Sequence, residues 1–215
     1  MDEFWTAAES AFRARAGVFF RDLPNPSLSG DPRSFEELWR GLDGLAAEDA
    51  VPRPVTAAPL SGRVSILDEA SRRDPRLGRE LLASLESAGP LAPPQRAACE
   101  LGRQAGTAAH VIAAGTDAAR ERGYFSSILM DFRVVQERLA GLVAGAALAR
   151  LSACRLCRLL EKGDTITAGR ETPGSEAQAR ALAADIRAVA GSLLGPSWTA
   201  VRLAAGDGPG AAERT

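Results

Sequence analysis

The chain of 215 residues is long enough for one sizeable domain or for two small halves that share a core. Hydrophobic residues make up 46% of it and charged residues 25%, a composition that excludes wholesale disorder. Its 26 Lys and Arg against 27 Asp and Glu give a net charge of -1, which excludes a global positive field for nucleic acid or anionic lipid. Because the sequence shows no secretory leader and no uninterrupted apolar run of about 18 residues, we expect a cytoplasmic protein without a membrane span.

The N-terminal part of the sequence predicts amphipathic helices separated by proline-rich connections. Glu37 follows Ser34 at the capping-box spacing, which predicts the start of one helix near Ser34. The other helices expected here cover residues 2–21, 63–71 and 77–87. The consecutive prolines at 93 and 94 forbid a continuing helix and favour the start of a new one. We therefore separate an N-terminal helical region, 1–89, from a C-terminal helical bundle, 95–195.

Two long helices dominate the expected bundle. The first, over residues 95–122, carries a stripe of small residues that lets neighbouring helices approach closely, so we expect it to be central. The second carries an apolar seam with a 4-3 spacing, which must pack in a bundle or across a subunit interface. The seam consists of Ile128, Phe132, Val135, Leu139, Leu142, Ala146, Ala149, Ala153, Leu156 and Leu160.

The remaining segments complete an all-helical prediction. A last helix is expected over residues 175–194, and the Gly- and Ala-rich tail 204–215 is expected to fray. No segment alternates apolar and polar residues for long enough to predict a strand. The fold class that follows is all-α, a helical bundle of about six or seven helices.

The cysteines and the single histidine do not form a predicted metal or catalytic site. Cys154 and Cys157 form a lone Cys-x-x-C inside a helix, and a zinc ion needs four ligands, for which only the distant Cys99 and His110 remain. We interpret the thiols as small buried side chains and His110 as a packed or surface residue. No catalytic residue and no metal ligand is predicted.

Arg122 and Phe125 are the predicted cofactor-binding residues. They lie at the turn between the two long helices, where an arginine followed by an aromatic ring offers a fixed cation beside a flat apolar face. A dinucleotide needs these two features, a charge for its diphosphate and a plane for a ring. An arginine at a helix end and a core phenylalanine would give the same pattern without a ligand.

At these residues the sequence resembles the acyl-CoA dehydrogenase family, whose late helices carry Arg-x-x-Phe-Gly, a short gap, Asp-Phe-Gln-x-Val-Gln and Leu-Ala. The matching residues are Arg122, Phe125, Asp131, Phe132, Val135, Gln136, Leu139 and Ala140. The resemblance implies the N- and C-terminal α domains of that family, joined here at residues 90–94 without the central β-barrel domain. It also implies that Arg122 and Phe125 contact FAD held mainly by an adjacent subunit.

The departures from the family pattern concern catalysis. The family's catalytic base is a Glu, and Gln95 and Arg96 stand at one of its two positions, where a neutral amide cannot remove a proton. Ser126 replaces the glycine of the motif, and Arg133 replaces its first glutamine. The resemblance thus implies an acyl-CoA dehydrogenase-like chain without a catalytic base of its own.

Two functions follow as expectations. The first is an accessory subunit that completes the FAD site of a heteromeric flavin-dependent acyl-CoA dehydrogenase, with FAD shared and acyl-CoA bound only through a full-length partner. The alternative is a non-catalytic helical module for oligomerisation or partner binding that has lost FAD, which Ser126 and Arg133 favour. Both imply a homo- or hetero-oligomer, and neither implies nucleic acid. The scarcity of His, Lys and Tyr disfavours an enzyme of unrelated chemistry.

Overall fold

The computed structural model describes residues 7–22, 59–124 and 126–203, and these residues form an all-α helical bundle. This confirms the predicted fold class. The predictions for 1–6, 23–58 and 204–215, among them the helix near Ser34 and the C-terminal tail, lie outside the described residues. The helices are α1 (Ala7–Asp22), α2 (Leu60–Arg73), α3 (Pro75–Ala88), α4 (Pro93–Glu121), α5 (Arg133–Glu161), α6 (Thr165–Leu193) and α7 (Pro196–Leu203).

Helix α4 lies at the centre of the bundle, with α2, α5 and α6 packed against it. It begins with Pro93 in its first turn, and the side chain of Gln95 accepts a hydrogen bond from the Ala92 amide at 3.1 Å. An alanine face keeps helix axes close together, so the central position predicted for this helix is confirmed. The fully or almost fully buried alanines are Ala97, Ala98, Ala105, Ala108 and Ala119.

Two glycines bring α2 and α4 closer than side chains would allow. A Cβ at Gly102 would lie 2.8 Å from Val64 Cγ1 and 2.9 Å from the Val64 carbonyl oxygen. A Cβ at Gly106 would overlap the carbonyl oxygen of Asp68 and lie 2.8 Å from Ser71 Cβ. Because the two glycines are four residues apart, they share one helix face, and the α2 backbone rests directly on α4.

Helices α1 and α3 complete the same core from the α2 side. Ala16 and Phe20 of α1 are buried, and α1 packs on α2. The α2–α3 junction is short because the Asp74 carboxylate accepts a hydrogen bond from the Arg76 amide at 2.9 Å, with Pro75 at the first position of α3. One cluster of buried apolar side chains therefore extends through all the long helices.

Helix α5 packs one face against α4 and α6. Ile128 and Phe132, the first two residues of the predicted seam, precede this helix and are 40% and 37% exposed, so the seam is shorter than its spacing predicts. The prediction is confirmed for the following seven buried side chains, Val135, Leu139, Leu142, Ala146, Ala149, Ala153 and Leu156.

A short hairpin occupies the predicted start of the seam helix. Strands β1 (Gly123–Tyr124) and β2 (Ser127–Ile128) pair antiparallel, and a 3₁₀ turn (Leu129–Asp131) follows. The carbonyl of Arg122 accepts a hydrogen bond from the Leu129 amide at 2.9 Å, which joins the hairpin to the end of α4. The prediction that the seam helix includes Ile128 was wrong, because apolar residues at helical spacing also suit a hairpin packed against the ends of two helices. This pair is the whole β structure of the described residues.

The turn between α5 and α6 is closed by a glycine and an aspartate. Gly163 adopts φ +77°, and the Asp164 amide donates to the Leu159 carbonyl at 2.9 Å, which satisfies the end of α5. The Asp164 carboxylate accepts a hydrogen bond from the Thr167 amide at 3.0 Å. This backbone hydrogen bond stabilises the charged carboxylate and lowers the pKa of Asp164.

Helix α6 begins at Thr165, well before the predicted start at residue 175. Pro173 lies inside the helix and is exposed, as is Gly169 four residues earlier. Proline removes one helical hydrogen bond and crowds the carbonyl of the fourth preceding residue. Because both groups lie on the solvent side, water can satisfy the freed oxygen and the helix continues. The predicted start was therefore wrong.

Helix α5 is, within the described residues, long and apolar enough to cross a membrane, with a mean hydropathy of 1.4 over its most apolar stretch. Of that stretch, 39% is buried inside the bundle. Arg150 and Arg155 interrupt the apolar run. One side of α5 packs against α4 and α6, and the other side is exposed.

Candidate functional site

Arg122 lies where α4 ends and the hairpin begins. Its amide donates to the Ala118 carbonyl at 3.2 Å, and its own carbonyl accepts from Leu129, so its backbone is fixed on both sides. The side chain is exposed, and no hydrogen bond or ion pair joins its guanidinium to another described residue. Among the described residues, Arg122 is thus an exposed cation without a side-chain partner, on a backbone held by two hydrogen bonds.

The other residues of the predicted motif lie in different surroundings. Phe125, the second predicted cofactor-binding residue, is outside the described residues. Arg133 is paired with Glu137 at 2.7 Å within α5, so its guanidinium is already engaged. Val135 and Leu139 are buried in the core. Of the predicted binding residues, the structure therefore places Arg122 alone.

Two polar residues of the motif stabilise the connection into α5. The Asp131 carboxylate accepts a hydrogen bond from the Ile128 amide at 3.3 Å. The side-chain amide of Gln136 donates to the Met130 carbonyl at 3.1 Å. The side chain of Gln95 accepts a hydrogen bond from the Ala92 amide at the start of α4. Each of these polar groups has a structural role in the fold.

The described residues fit one contact with an anionic cofactor rather than a complete FAD site. A guanidinium carries several N–H donors in a planar fork, which suits a diphosphate. The described side chains that the hairpin contributes beside Arg122 are the exposed Ser126, Ser127 and Ile128, and none of them carries a charge. FAD at Arg122 would therefore have to be held mostly by another chain.

A shallow groove with an apolar floor lies between α5 and α6, away from the hairpin residues. Its two charges, Arg138 and Asp185, come from opposite helices. The groove is open, and its floor carries no nucleophile. It is lined by Arg138, Gly141, Leu142, Asp185, Ala188 and Val189.

His110 of α4 contacts residues of both α2 and α7. Its Nδ1–H donates to the Arg72 carbonyl at 3.0 Å, near the end of α2, where backbone carbonyls lack helical partners. Its ring also stacks on Trp198 of α7, with centroids 5.8 Å apart and planes at 25°. The structure confirms the interpretation of His110 as a packed residue.

The three cysteines are buried and reduced. Cys154 and Cys157 lie one turn apart on the inner side of α5. Burial raises the pKa of the Cys99 thiol to about 12, so this group stays protonated near neutral pH and is a poor nucleophile. In the described ranges, no group of three or more His, Cys, Asp or Glu side chains is arranged to hold a metal ion.

The Asp68 side chain is 3% exposed and lies at the centre of a network of charges that joins α1, α2 and α5. Asp68 Oδ2 accepts from Arg13 Nη2 at 2.7 Å and from Arg150 Nε at 2.8 Å, and Oδ1 accepts from Arg150 Nη2 at 2.9 Å. Arg13 Nε also donates to Glu69 at 3.0 Å, and Arg150 Nη2 to the Ala105 carbonyl at 3.3 Å. Burial lowers the pKa of Arg150, but the hydrogen bond and charge of Asp68 outweigh it, so the net shift is upward.

Sequence analysis missed this Asp68 network. Arg13 and Arg150 lie 55 and 82 residues from Asp68, and no local pattern predicts contacts at that separation. The one available signal was the Asp68–Glu69 pair within the otherwise apolar and small run from Val64 to Ala70. Because both carboxylate oxygens already bind guanidinium groups, the network stabilises the helix packing and offers no free acid or base.

Comparisons with known proteins found no relative. No family model matches the chain, no curated protein matches it, and no solved structure matches it. The acyl-CoA dehydrogenase resemblance consequently stays a prediction that depends on the residues named above.

Proposed function

We propose that the protein is a non-catalytic accessory subunit that contributes Arg122 to the FAD site of a flavin-dependent acyl-CoA dehydrogenase. The observation that supports this is the exposed guanidinium of Arg122, unpaired among the described residues, on a backbone held by hydrogen bonds at both sides. Such a side chain can bind a diphosphate without breaking a contact in its own fold. The residue pattern around it is the reason for naming FAD rather than another anion.

The accessory role follows from what the described residues lack. Gln95, at the position of the family's base, is a neutral amide engaged at a helix start. One cation cannot hold FAD alone, so the partner must supply most of the site and the acyl-CoA cleft. FAD would supply the electron-accepting chemistry, and Arg122 would hold its charged diphosphate.

The proposal is tested by purifying the protein alone and together with a full-length acyl-CoA dehydrogenase encoded beside it, then recording visible spectra. We expect flavin absorbance in the complex and none in the chain alone. Flavin retained by the chain alone would contradict the shared site. If the full-length partner retains its flavin equally well with and without this chain, that result would contradict the accessory role.

Substitution of Arg122 tests the site itself. Arg122→Ala removes a charge-assisted hydrogen bond, so we expect FAD retention in the complex to weaken by about 1.5–3 kcal/mol. Arg120→Ala is the matched control, because Arg120 is also exposed and lies in the last turn of α4. Equal retention by the two variants, measured by titrating FAD into the stripped complex, would exclude Arg122 as a ligand.

The second candidate is a helical module for oligomerisation or partner binding that has lost FAD. The exposed apolar side chains of α5, among them Val143 and Leu148, favour it. A complex that forms but stays colourless would select this function over the first.

A further inference from the structure

The groove between α5 and α6 lies on the exposed side of this helix pair, and no residue of α4 lines it. Its floor consists of Leu142 and Val189, which are 1% and 5% exposed. Arg138 on the α5 wall and Asp185 on the α6 wall are both exposed. Within the described chain, no hydrogen bond or ion pair joins either side chain to another residue. The groove therefore carries an unpaired cation on one wall and an unpaired anion on the other.

The contacts between α5 and α6 fix the relative heights of these two charges along the groove. Ser152 Oγ donates a hydrogen bond to Gln178 Oε1 at 2.7 Å, and a Cβ at Gly145 would lie 3.0 Å from Leu182 Cδ1. The helices are therefore antiparallel, and the same register extends to the groove. In this register the two charged residues are offset along the groove by roughly four to five residues, which is about 6–8 Å at the rise of an α-helix.

We propose that this groove binds the same groove of a second copy of the chain, about a two-fold axis that runs parallel to α5 and α6. The axis places α6 of the second copy against α5, and α5 of the second copy against α6, with every residue at an unchanged height. Each of the four helices then has antiparallel neighbours, as in an up-and-down four-helix bundle, so their dipoles oppose one another. A two-fold contact requires a surface that is complementary to itself.

The charges of the groove meet this requirement. Arg138 of one copy faces the helix that carries Asp185 of the other copy. The same offset along the groove separates them, and an extended arginine side chain spans it. The axis repeats the contact, so two ion pairs form from side chains that have no partner among the described residues of the monomer.

The other charged residues near this face do not oppose the contact. Glu137 is already paired with Arg133. Arg155 and Arg170 lie at the far end of the α5–α6 pair, where Arg155 is paired with Glu171. Helices that cross at about 20° have diverged from the contact at that end. The charges that meet across the axis are therefore of opposite sign.

Small side chains on both walls let the second copy approach closely. A Cβ at Gly141 would meet no atom within 4 Å, and Ala188 on the opposite wall is exposed. Leu148, which is 56% exposed, lies about two turns beyond Gly141 on the same side of α5, level with the exposed Ala181 of the second copy. Each leucine then meets a small side chain, and its apolar surface is removed from water. Leu148 also belongs to the outward face of α5, the exposed side that consists of Ala140, Val143, Ala144, Ala147, Leu148 and Leu151.

The association does not involve Arg122 and requires no flavin. It therefore goes beyond the proposed function and can fail or succeed separately from it. The contact over a few turns of two helices is smaller than a standard stable interface, so we expect a reversible dimer.

The first test is sedimentation velocity of the full chain over a concentration range of about 1–200 µM. We expect the weight-average sedimentation coefficient to rise from monomer to dimer. Arg138→Glu and Asp185→Arg each set like charges against each other across the axis, so each variant alone should dimerise at least about tenfold more weakly. An equimolar mixture of the two variants should dimerise as the unchanged protein does, because every contact in the mixed dimer again joins opposite charges.

Arg187→Glu is the matched control, because Arg187 is exposed on α6 and does not line the groove. It should leave dimerisation unchanged, and its mixture with Asp185→Arg should not restore the dimer. A monomer over the whole concentration range would overturn the proposal. So would single variants that dimerise as well as the control, or a mixture of Arg138→Glu and Asp185→Arg that stays monomeric.

The second test determines the register through single cysteines, with the native thiols left in place because all three are buried. Under mild oxidation, a mixture of Leu148→Cys and Ala181→Cys should give a mixed disulfide dimer, whereas either variant alone should give little. Strong self-linking of Leu148→Cys without the mixed product would show that two α5 helices contact each other directly, and the proposed axis would be wrong.

Maleimide labelling of Ala188→Cys identifies any other occupant of the groove. We expect labelling to be rapid in dilute protein and to slow in concentrated protein. Slow labelling in dilute, monomeric protein would show that another part of the same chain covers the groove, and the proposal would be wrong.

Discussion

The two faces of α5 are similarly apolar, yet only one is covered. Leu142 on the inward face is 1% exposed, whereas Leu148 on the outward face is 56% exposed. The inward face meets the alanines of α4, and its one arginine, Arg150, reaches Asp68. The outward face has no such neighbour in the described chain. The composition of a helix therefore indicates how much apolar surface it carries. Which part of that surface is buried depends on the helices packed against it.

The largest contrast is expected between the ion pairs on the two faces. Asp68→Ala would leave Arg13 and Arg150 without their shared buried acceptor, so the free energy of unfolding should fall by about 3–5 kcal/mol. Glu137→Ala breaks only the exposed pair with Arg133 and should change it by about 0–0.5 kcal/mol. Urea denaturation measures both. An equal decrease in the free energy of unfolding for the two variants would contradict this difference between the buried and the exposed ion pairs.

A leucine from each face gives the next contrast. Leu142→Ala creates a cavity in the core and should lower the free energy of unfolding by about 2–4 kcal/mol. Leu148→Ala removes a side chain already in solvent and should change it by less than about 0.5 kcal/mol in dilute protein. Thermal denaturation at low protein concentration compares them. A large loss for Leu148→Ala under these conditions would mean that its side chain is covered within the monomer.

Two Gly→Ala substitutions are expected to change the free energy of unfolding in opposite directions. At Gly106 an added methyl would overlap the Asp68 carbonyl, so Gly106→Ala should destabilise the fold by about 1–3 kcal/mol. At Gly141 of α5 an added methyl meets nothing within 4 Å. Gly141→Ala should therefore stabilise the fold by about 0.5–1 kcal/mol through helix propensity. Midpoints of urea denaturation decide the two signs, and a stabilising Gly106→Ala would contradict the close contact of α2 with α4.

Sequence reasoning succeeded where the pattern is local and repeated. The alanine-rich stripe of α4 and the seam of α5 from Val135 to Leu156 are read from periodicity, because burial on one side of a helix selects those positions directly. It failed at Ile128, where helical spacing continued into a hairpin, and at Pro173, which a helix tolerates on its solvent side. At both residues, the local structure depends on where the residue lies relative to the rest of the bundle.

The candidate site was predictable only in part. Arg122 was found because it lies between two long helices in a motif-like context, and the structure adds that its guanidinium is exposed and unpaired among the described residues. The Asp68 network and the α2–α4 contact were missed. The spacing of Gly102 and Gly106 is a recognisable signal for close helix approach, whereas the pairing of Asp68 with Arg13 and Arg150 becomes visible only in three dimensions.

The contact of α2 with Gly102 and Gly106 also has a consequence for motion. Backbone lies directly on backbone there, so water cannot reach these amides unless the two helices separate. Amide protons in the middle of α2 and α4 should then exchange with deuterium last, at a rate set by global unfolding. The amides of β1 and β2 should exchange earlier than these.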